Sequence, residues 1–314
     1  MLPDDVTRAA IETGRRHADT LLRDRARALE RRAHALAEHP APLELRADAV
    51  SAKAALLAEA VLTQSAGYLV AEGDSWFDYP LHDVLDELED GHGYDVESVP
   101  HRGDPMAATT DGGNQLCRFT RQIEKLLGRG VVPKAILVSG GDNDVAGEQF
   151  GLLLNYARSS VAGLSALILH GVVDERVRIG YIPTLSAITE VCRHKLGRPL
   201  PIVVHGYDFP VADGRGCMGG WWFLPGPDAA EHGNGNDDVS RRLELARELV
   251  DRFNAMLAGL ADLPDFRHVH YVDLRNTLST ALSYQDWRAT ERHPSERGFR
   301  RIVERFDAVL RSLP

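Results

Sequence analysis

The chain predicts an α/β protein: a parallel sheet of about five strands with helices around it, preceded by an N-terminal helical extension. Two textures carry this reading. From Gly67 onward, short β-branched runs ending in Gly, Asp or Asn alternate with longer helical stretches, which is the pattern of a parallel α/β sheet. Before that point, residues 4 to about 65 hold a single glycine, Gly14, and are rich in Ala, Leu, Arg and Glu, all favourable to helix. With 314 residues, one core with additions is expected: an extension over 1–65 and a main domain over 66–314 that carries a Gly-rich insertion at 206–239.

Bulk properties narrow the function. A composition of 44% apolar and 26% charged residues suits a globular chain able to bury a large core. Its 36 basic and 46 acidic residues leave a formal charge of -10, a field that repels phosphate backbones, so nucleic acid is not an expected partner. Cys117, Cys192 and Cys217 are odd in number and widely spaced, forming neither a disulfide framework nor a zinc pattern. The segment Met1–Asp5 lacks a basic start followed by an apolar run, and no stretch approaches the roughly 20 apolar residues of a membrane span. A cytoplasmic protein with reduced thiols and no transmembrane segment is expected.

In the extension, Pro40 and Pro42 split the helical region into two helices. The first mixes Arg15, Arg16, Arg23, Arg25, Arg27, Arg31 and Arg32 with Asp19, Asp24 and Glu30, as a solvated helix face does. It is expected to be a structural appendage or an arm through which chains form a homo-oligomer, the alternative being an acidic partner on the arginines. Five strands follow near 68–73, 94–99, 134–139, 201–206 and 268–273, with cores such as Tyr68-Leu69-Val70-Ala71 and Ile202-Val203-Val204-His205. In doubly wound sheets, function collects beyond the carboxyl ends of the strands. The insertion at 206–239, with eight glycines around Trp221, Trp222 and Phe223, is expected to act as a lid or wall over a site.

Four strand-end blocks carry candidate chemistry. Gly73-Asp74-Ser75-Trp76 follows the first strand and precedes a helical pattern at Leu81, Val84, Leu85 and Leu88, so Ser75 is expected on a strand-to-helix turn with helix N–H groups facing any developing anion. The bland reading of Ser75 is a turn serine capping that helix. The second strand ends at Val99-Pro100-His101-Arg102-Gly103-Asp104 and the third at Ser139-Gly140-Gly141-Asp142-Asn143-Asp144. A glycine N–H and an asparagine NH2 there could serve as oxyanion donors, although Gly, Asn and Asp also dominate ordinary turns. Near the C-terminus, Thr290-Glu291-Arg292-His293-Pro294-Ser295 precedes an apolar helical face at Phe299, Ile302, Val303, Phe306, Val309 and Leu310. His293 matters as a partner for Ser75; alone, it would read as a surface loop residue.

No single block is specific, but their order along the chain resembles that of the SGNH (GDSL-like) hydrolases over residues 67 to 312, with Ser75, Gly103, Asn143 and His293 at the four positions that name the group. The resemblance implies a flavodoxin-like three-layer α/β/α fold with strand order 2-1-3-4-5. It also implies a serine esterase in which Ser75 attacks, His293 is the base, and Gly103, Asn143 and the Ser75 N–H hold the oxyanion. The sequence departs from the family in one place. Three residues before the histidine, where an orienting Asp is usual, stands Thr290. Glu291 and Asp286 are the candidate substitutes, and a dyad helped by a backbone carbonyl is the remaining option.

The other histidines, among them His101, His170, His205, His232, His268 and His270, lack metal-ligand spacing, so no metal and no cofactor is expected. His268 and His270 read as structural strand residues. The expected partner is a small-molecule, lipid or carbohydrate ester. Alternatives are an acyltransferase, a ligand-binding protein with a weakened triad, or a nucleotide-binding flavodoxin-like module, the last without any Gly-x-x-x-x-Gly-Lys loop.

Overall fold

A computed structural model describes residues 4–38, 65–80, 82–99, 106, 114–146, 148–156, 158–211, 239–278, 284–290 and 292–314. At its centre lies a five-stranded parallel sheet of β1 (Gly67–Glu72), β2 (Tyr94–Ser98), β3 (Ala135–Val138), β4 (Ile202–His205) and β5 (Val269–Val272). The expected strands match these to within one residue at either end. Their spatial order is β2-β1-β3-β4-β5, the order the family resemblance implies. All four residues of β3 and of β4 are buried, as expected for parallel strands covered on both faces.

The helices form two outer layers. On one face α2 (Val84–Asp90) packs with α6 (Glu296–Ser312), which buries Phe299, Ile302, Val303, Phe306 and Leu310 along one stripe. On the other are α3 (Asn114–Gly128), α4 (Arg178–Leu196) and α5 (Val239–Ala261). The result is a three-layer α/β/α fold. A short antiparallel hairpin, Leu154–Asn155 with Gly163–Leu164, stands outside the central sheet.

The first helix, α1 (Asp4–Glu38), lies over α3 and α4. Its charge pattern emphasises the solvated side, but the face that fixes its place is a stripe of small residues. Ala10 and Ala18 are buried, and Gly14 comes so close to α4 that a Cβ there would lie 2.3 Å from the Pro183 carbonyl oxygen. Ser186 Oγ donates to the Ile11 carbonyl at 2.8 Å. Buried Glu124 on α3 then takes Arg25 from α1 at 2.9 Å and Lys195 from α4 at 2.7 Å, so one carboxylate joins three helices. The second helix expected in the extension lies outside the described residues.

Of the insertion expected at 206–239, the described residues Gly206 through Val211 are buried directly beyond β4. Gly206 is required there, because a Cβ would fall 1.8 Å from Asn254 Oδ1 on α5. Trp221, Trp222 and Phe223 lie outside the described residues. His268, just before β5, bonds Thr189 Oγ1 at 2.7 Å, consistent with a structural role. Among the described residues no helix is long and apolar enough to cross a membrane, and no three His, Cys, Asp or Glu side chains gather as metal ligands. Cys117 and Cys192 are free thiols, and Cys217 lies outside the described residues.

Candidate active site

Ser75 stands beyond the carboxyl end of β1, in a tight turn closed by the Phe77 N–H donating to the Asp74 carbonyl at 3.0 Å. Gly73 allows this turn, since a Cβ would meet Ser139 Cβ at 2.6 Å on the neighbouring strand end. The expectation that the N–H groups of the following helix face Ser75 is corrected here. Helix α2 begins only at Val84, and Asp83 caps it, accepting from Leu85 N at 2.7 Å and Asp86 N at 3.0 Å, so those donors are already taken.

His293 reaches Ser75 from the loop that precedes α6. Its Nε2 lies 2.8 Å from Ser75 Oγ although the residues are 218 positions apart. The loop is a narrow two-stranded turn in which the N–H groups of Ala289 and Thr290 both reach the His293 carbonyl, and Ser295 N donates back to the Trp287 carbonyl. Gly298 on the first turn of α6 lets Trp287 approach, because a Cβ would sit 2.1 Å from its carbonyl oxygen. Below this loop Arg288, fully buried, pairs with buried Asp208 at 3.3 Å and also donates to the Phe209 carbonyl. The pair ties the histidine loop to the segment beyond β4.

The other ring nitrogen faces Thr290. Thr290 Oγ1 lies 3.3 Å from His293 Nδ1 and accepts the backbone N–H groups of His293 at 3.0 Å and Arg292 at 3.3 Å. Asp286 is not a substitute acid: its side chain is exposed, and its contribution to the loop is a carbonyl that accepts from Ser295 Oγ at 2.8 Å. Glu291 lies outside the described residues. Tyr79 stacks on the imidazole with ring centroids 4.4 Å apart and planes inclined by 22°.

Burial, and secondarily the charge of Arg292, push the His293 imidazole well below its ordinary pKa, so the ring is neutral at neutral pH. Arg292 is itself buried and forms an ion pair with Asp142, next to Asn143 in the third block. Burial raises the Asp142 carboxyl to about 7, and Arg292 opposes that rise. Asn143 sits in a single helical turn, Asp142–Val145, at the carboxyl end of β3, the strand hydrogen-bonded to β1. Gly141 enters that turn with φ at +95°, a conformation glycine adopts without strain. Gly103 lies outside the described residues.

A buried network joins the first and third blocks. Asp74 accepts Ser139 Oγ at 2.8 Å, Tyr207 OH at 2.9 Å and the Trp76 N–H at 3.0 Å. The Tyr207 oxygen also takes the Asp142 N–H at 3.3 Å, and His205 Nε2 lies 2.8 Å from Ser139 Oγ. Sequence reasoning missed Tyr79, Tyr207, His205 and Arg292. Nothing in their spacing marks them, because each acts through a contact between distant segments. Beside the network runs a small cleft whose walls include Trp76, Val145, Leu249, Val250, Phe253 and Arg292.

No protein-family model matches the chain, and no curated protein matches it. Among solved structures it is similar to an inhibitor-bound aryl esterase of M. smegmatis, with 14% identity, 79% of this chain and 100% of that chain covered, and a TM-score of 0.45. It is also similar to a carbohydrate acetylesterase family member from Sinorhizobium meliloti (15% identity, 78% and 98% covered, TM-score 0.42). A third likeness is to a carbohydrate esterase family 3 structure from Talaromyces cellulolyticus (12% identity, 78% and 97% covered, TM-score 0.42).

Proposed function

We propose that the chain is a serine esterase in which Ser75 and His293 form the reacting pair. The observation that supports this best is the 2.8 Å contact between Ser75 Oγ and His293 Nε2, made beyond the carboxyl end of β1, where doubly wound sheets collect function. In the competent tautomer, the Nδ1–H of His293 donates to Thr290 Oγ1 and Nε2 accepts the Ser75 proton. The Ser75 oxygen then attacks the ester carbonyl, forming a tetrahedral oxyanion. Donors for that charge are the Ser75 N–H, the Asn143 NH2 and the Gly103 N–H. The protonated His293 gives its proton to the leaving alcohol, and water, activated by the same base, hydrolyses the acyl-enzyme.

Thr290 orients the ring but adds no negative charge to balance imidazolium. Part of that role falls to Tyr79, whose π face lies against the imidazole and favours the cation. Asp142 contributes by neutralising Arg292, whose field would otherwise oppose protonation more strongly. The substrate is a carboxylic ester without a required cofactor. Turnover of a panel of p-nitrophenyl and sugar esters by the wild type, with none by Ser75→Ala or His293→Ala, is the expected result.

A further inference from the structure

At the carboxyl ends of β1, β3 and β4 three buried polar side chains form a line that ends next to the nucleophile in sequence, and ordinary protonation states do not supply its hydrogens. His205 Nδ1 lies 2.8 Å from the Gly206 carbonyl oxygen, and His205 Nε2 lies 2.8 Å from Ser139 Oγ. Ser139 Oγ in turn lies 2.8 Å from Asp74 Oδ1. Exposure is 0% at His205, 4% at Ser139 and 2% at Asp74, so the line is closed to bulk water. A ring flipped by 180° would turn carbon toward both partners of the imidazole, which fixes the nitrogens where they stand.

Each contact along the line needs one hydrogen. A carbonyl only accepts, so Nδ1 carries a proton, and in a neutral ring Nε2 is then bare and accepts from Ser139. An ionised Asp74 also only accepts, and it faces the same single hydroxyl proton of Ser139. With a neutral ring and an ionised carboxyl, two bare lone pairs would therefore meet at 2.8 Å inside the protein. The other neutral tautomer moves that clash to the Gly206 carbonyl and does not remove it.

Charge points the same way. Asp74 is buried, yet no Lys, Arg or His among the described residues forms an ion pair with it. The ionisable groups that face it are Tyr207, Tyr181 and the carboxyls of Asp142 and Asp144, and the last two have Arg292 and Arg176 as their own partners. Around the His205 ring stand the aromatic rings of Trp76, Phe77, Tyr207 and Phe306. Burial lowers the His205 pKa, while Asp74 and the Gly206 carbonyl oppose the fall. An unpaired buried carboxylate is costly, and one added proton removes the charge and completes all the contacts, whether ring or carboxyl holds it.

We propose that the line from Asp74 through Ser139 to His205 holds one proton on each contact and no net charge, which makes His205 a positioning residue that keeps the carboxyl beside the nucleophile uncharged. The consequence for catalysis rests on the esterase reading, since an ionised Asp74 would oppose the oxyanion that forms when Ser75 attacks. The proton count does not rest on it. Nitrogen-15 and carbon-13 NMR of the full-length wild type at neutral pH should show a proton on His205 Nδ1, with a second proton on Nε2 or on the Asp74 carboxyl. His205→Phe, which keeps a ring among the aromatic neighbours, marks the imidazole signals by their loss. A bare Nδ1, or a bare Nε2 beside an ionised Asp74, overturns the proposal. Ser139→Ala cuts the line and should lower kcat about tenfold at alkaline pH with KM nearly constant, the loss shrinking as the pH falls and Asp74 takes a proton from solvent. The His293 ring remains a base well below the usual histidine range, so it does not mask that recovery. A loss of kcat that is equal at every pH is a purely structural effect and overturns the positioning role. The added proton in a chain that turns over no ester leaves the line uncharged and removes the esterase reading, whereas ester turnover without that proton overturns this proposal alone.

Discussion

Thr290 Oγ1 lies 3.3 Å from Nδ1 of His293, on the ring edge opposite the nitrogen that meets Ser75. A hydroxyl at this place can select the tautomer but cannot compensate the charge that forms when the ring takes a proton. Burial and Arg292 both disfavour that proton, so the base is available well below the usual histidine range.

Thr290→Asp is therefore expected to raise the His293 pKa, because an adjacent carboxylate favours imidazolium. The acidic limb of kcat/KM against pH should move to higher pH, and kcat at neutral pH should rise. Thr290→Val removes the acceptor and should cost about tenfold in kcat without moving KM. If neither substitution alters the pH profile, Thr290 does not act on the ring, and Glu291→Ala becomes the variant to measure.

Asn143→Ala should lower kcat by ~10²- to 10³-fold with a much smaller change in KM, since an oxyanion donor works mainly in the transition state. A change confined to KM would make Asn143 a substrate-binding residue.

Tyr207 links Asp74, next to the nucleophile, with the backbone of Asp142, next to Asn143. Tyr207→Phe leaves the ring packing and removes this link, so the two turns lose their fixed spacing. The expected outcome is a drop of about tenfold in kcat at nearly constant KM, with an unchanged circular dichroism spectrum. A fall in thermal stability with kcat intact would make the hydroxyl purely structural.

Arg288 and Asp208 are both fully buried and pin the histidine loop. Asp208→Ala strands a buried guanidinium and should destabilise the fold by about 3–5 kcal/mol in urea unfolding. Arg288→Met with Asp208→Leu, which removes both charges, should recover much of that loss. Equal destabilisation by the single and double variants would show that shape, not charge, matters there.

How much was legible in the sequence follows from the kind of signal each feature leaves. The strands stand out because parallel strands covered on both faces are uninterrupted β-branched runs, as in Ile202-Val203-Val204. Ser75 and His293 are legible as strand-end and helix-start residues, and their 2.8 Å approach fits that reading. The docking of α1 was hidden by its arginines, because the residues that fix it, Ala10, Gly14 and Ala18, resemble ordinary helix formers. The substitute acid was sought in Glu291 or Asp286 on sequence proximity; the loop turns Asp286 outward and brings Thr290 beside the ring, while Glu291 lies outside the described residues. Tyr79 and Tyr207 leave no local mark, since their roles exist only once distant strand ends meet.

The central claim, that Ser75 is a nucleophile activated by His293, is tested most directly by mass spectrometry after reaction with a fluorophosphonate. The account predicts one covalent adduct, on Ser75, with labelling slowed at least ~10³-fold in His293→Ala and adduct absent in Ser75→Ala. An unlabelled wild type, or an adduct on Ser75 that forms equally fast without His293, would contradict it.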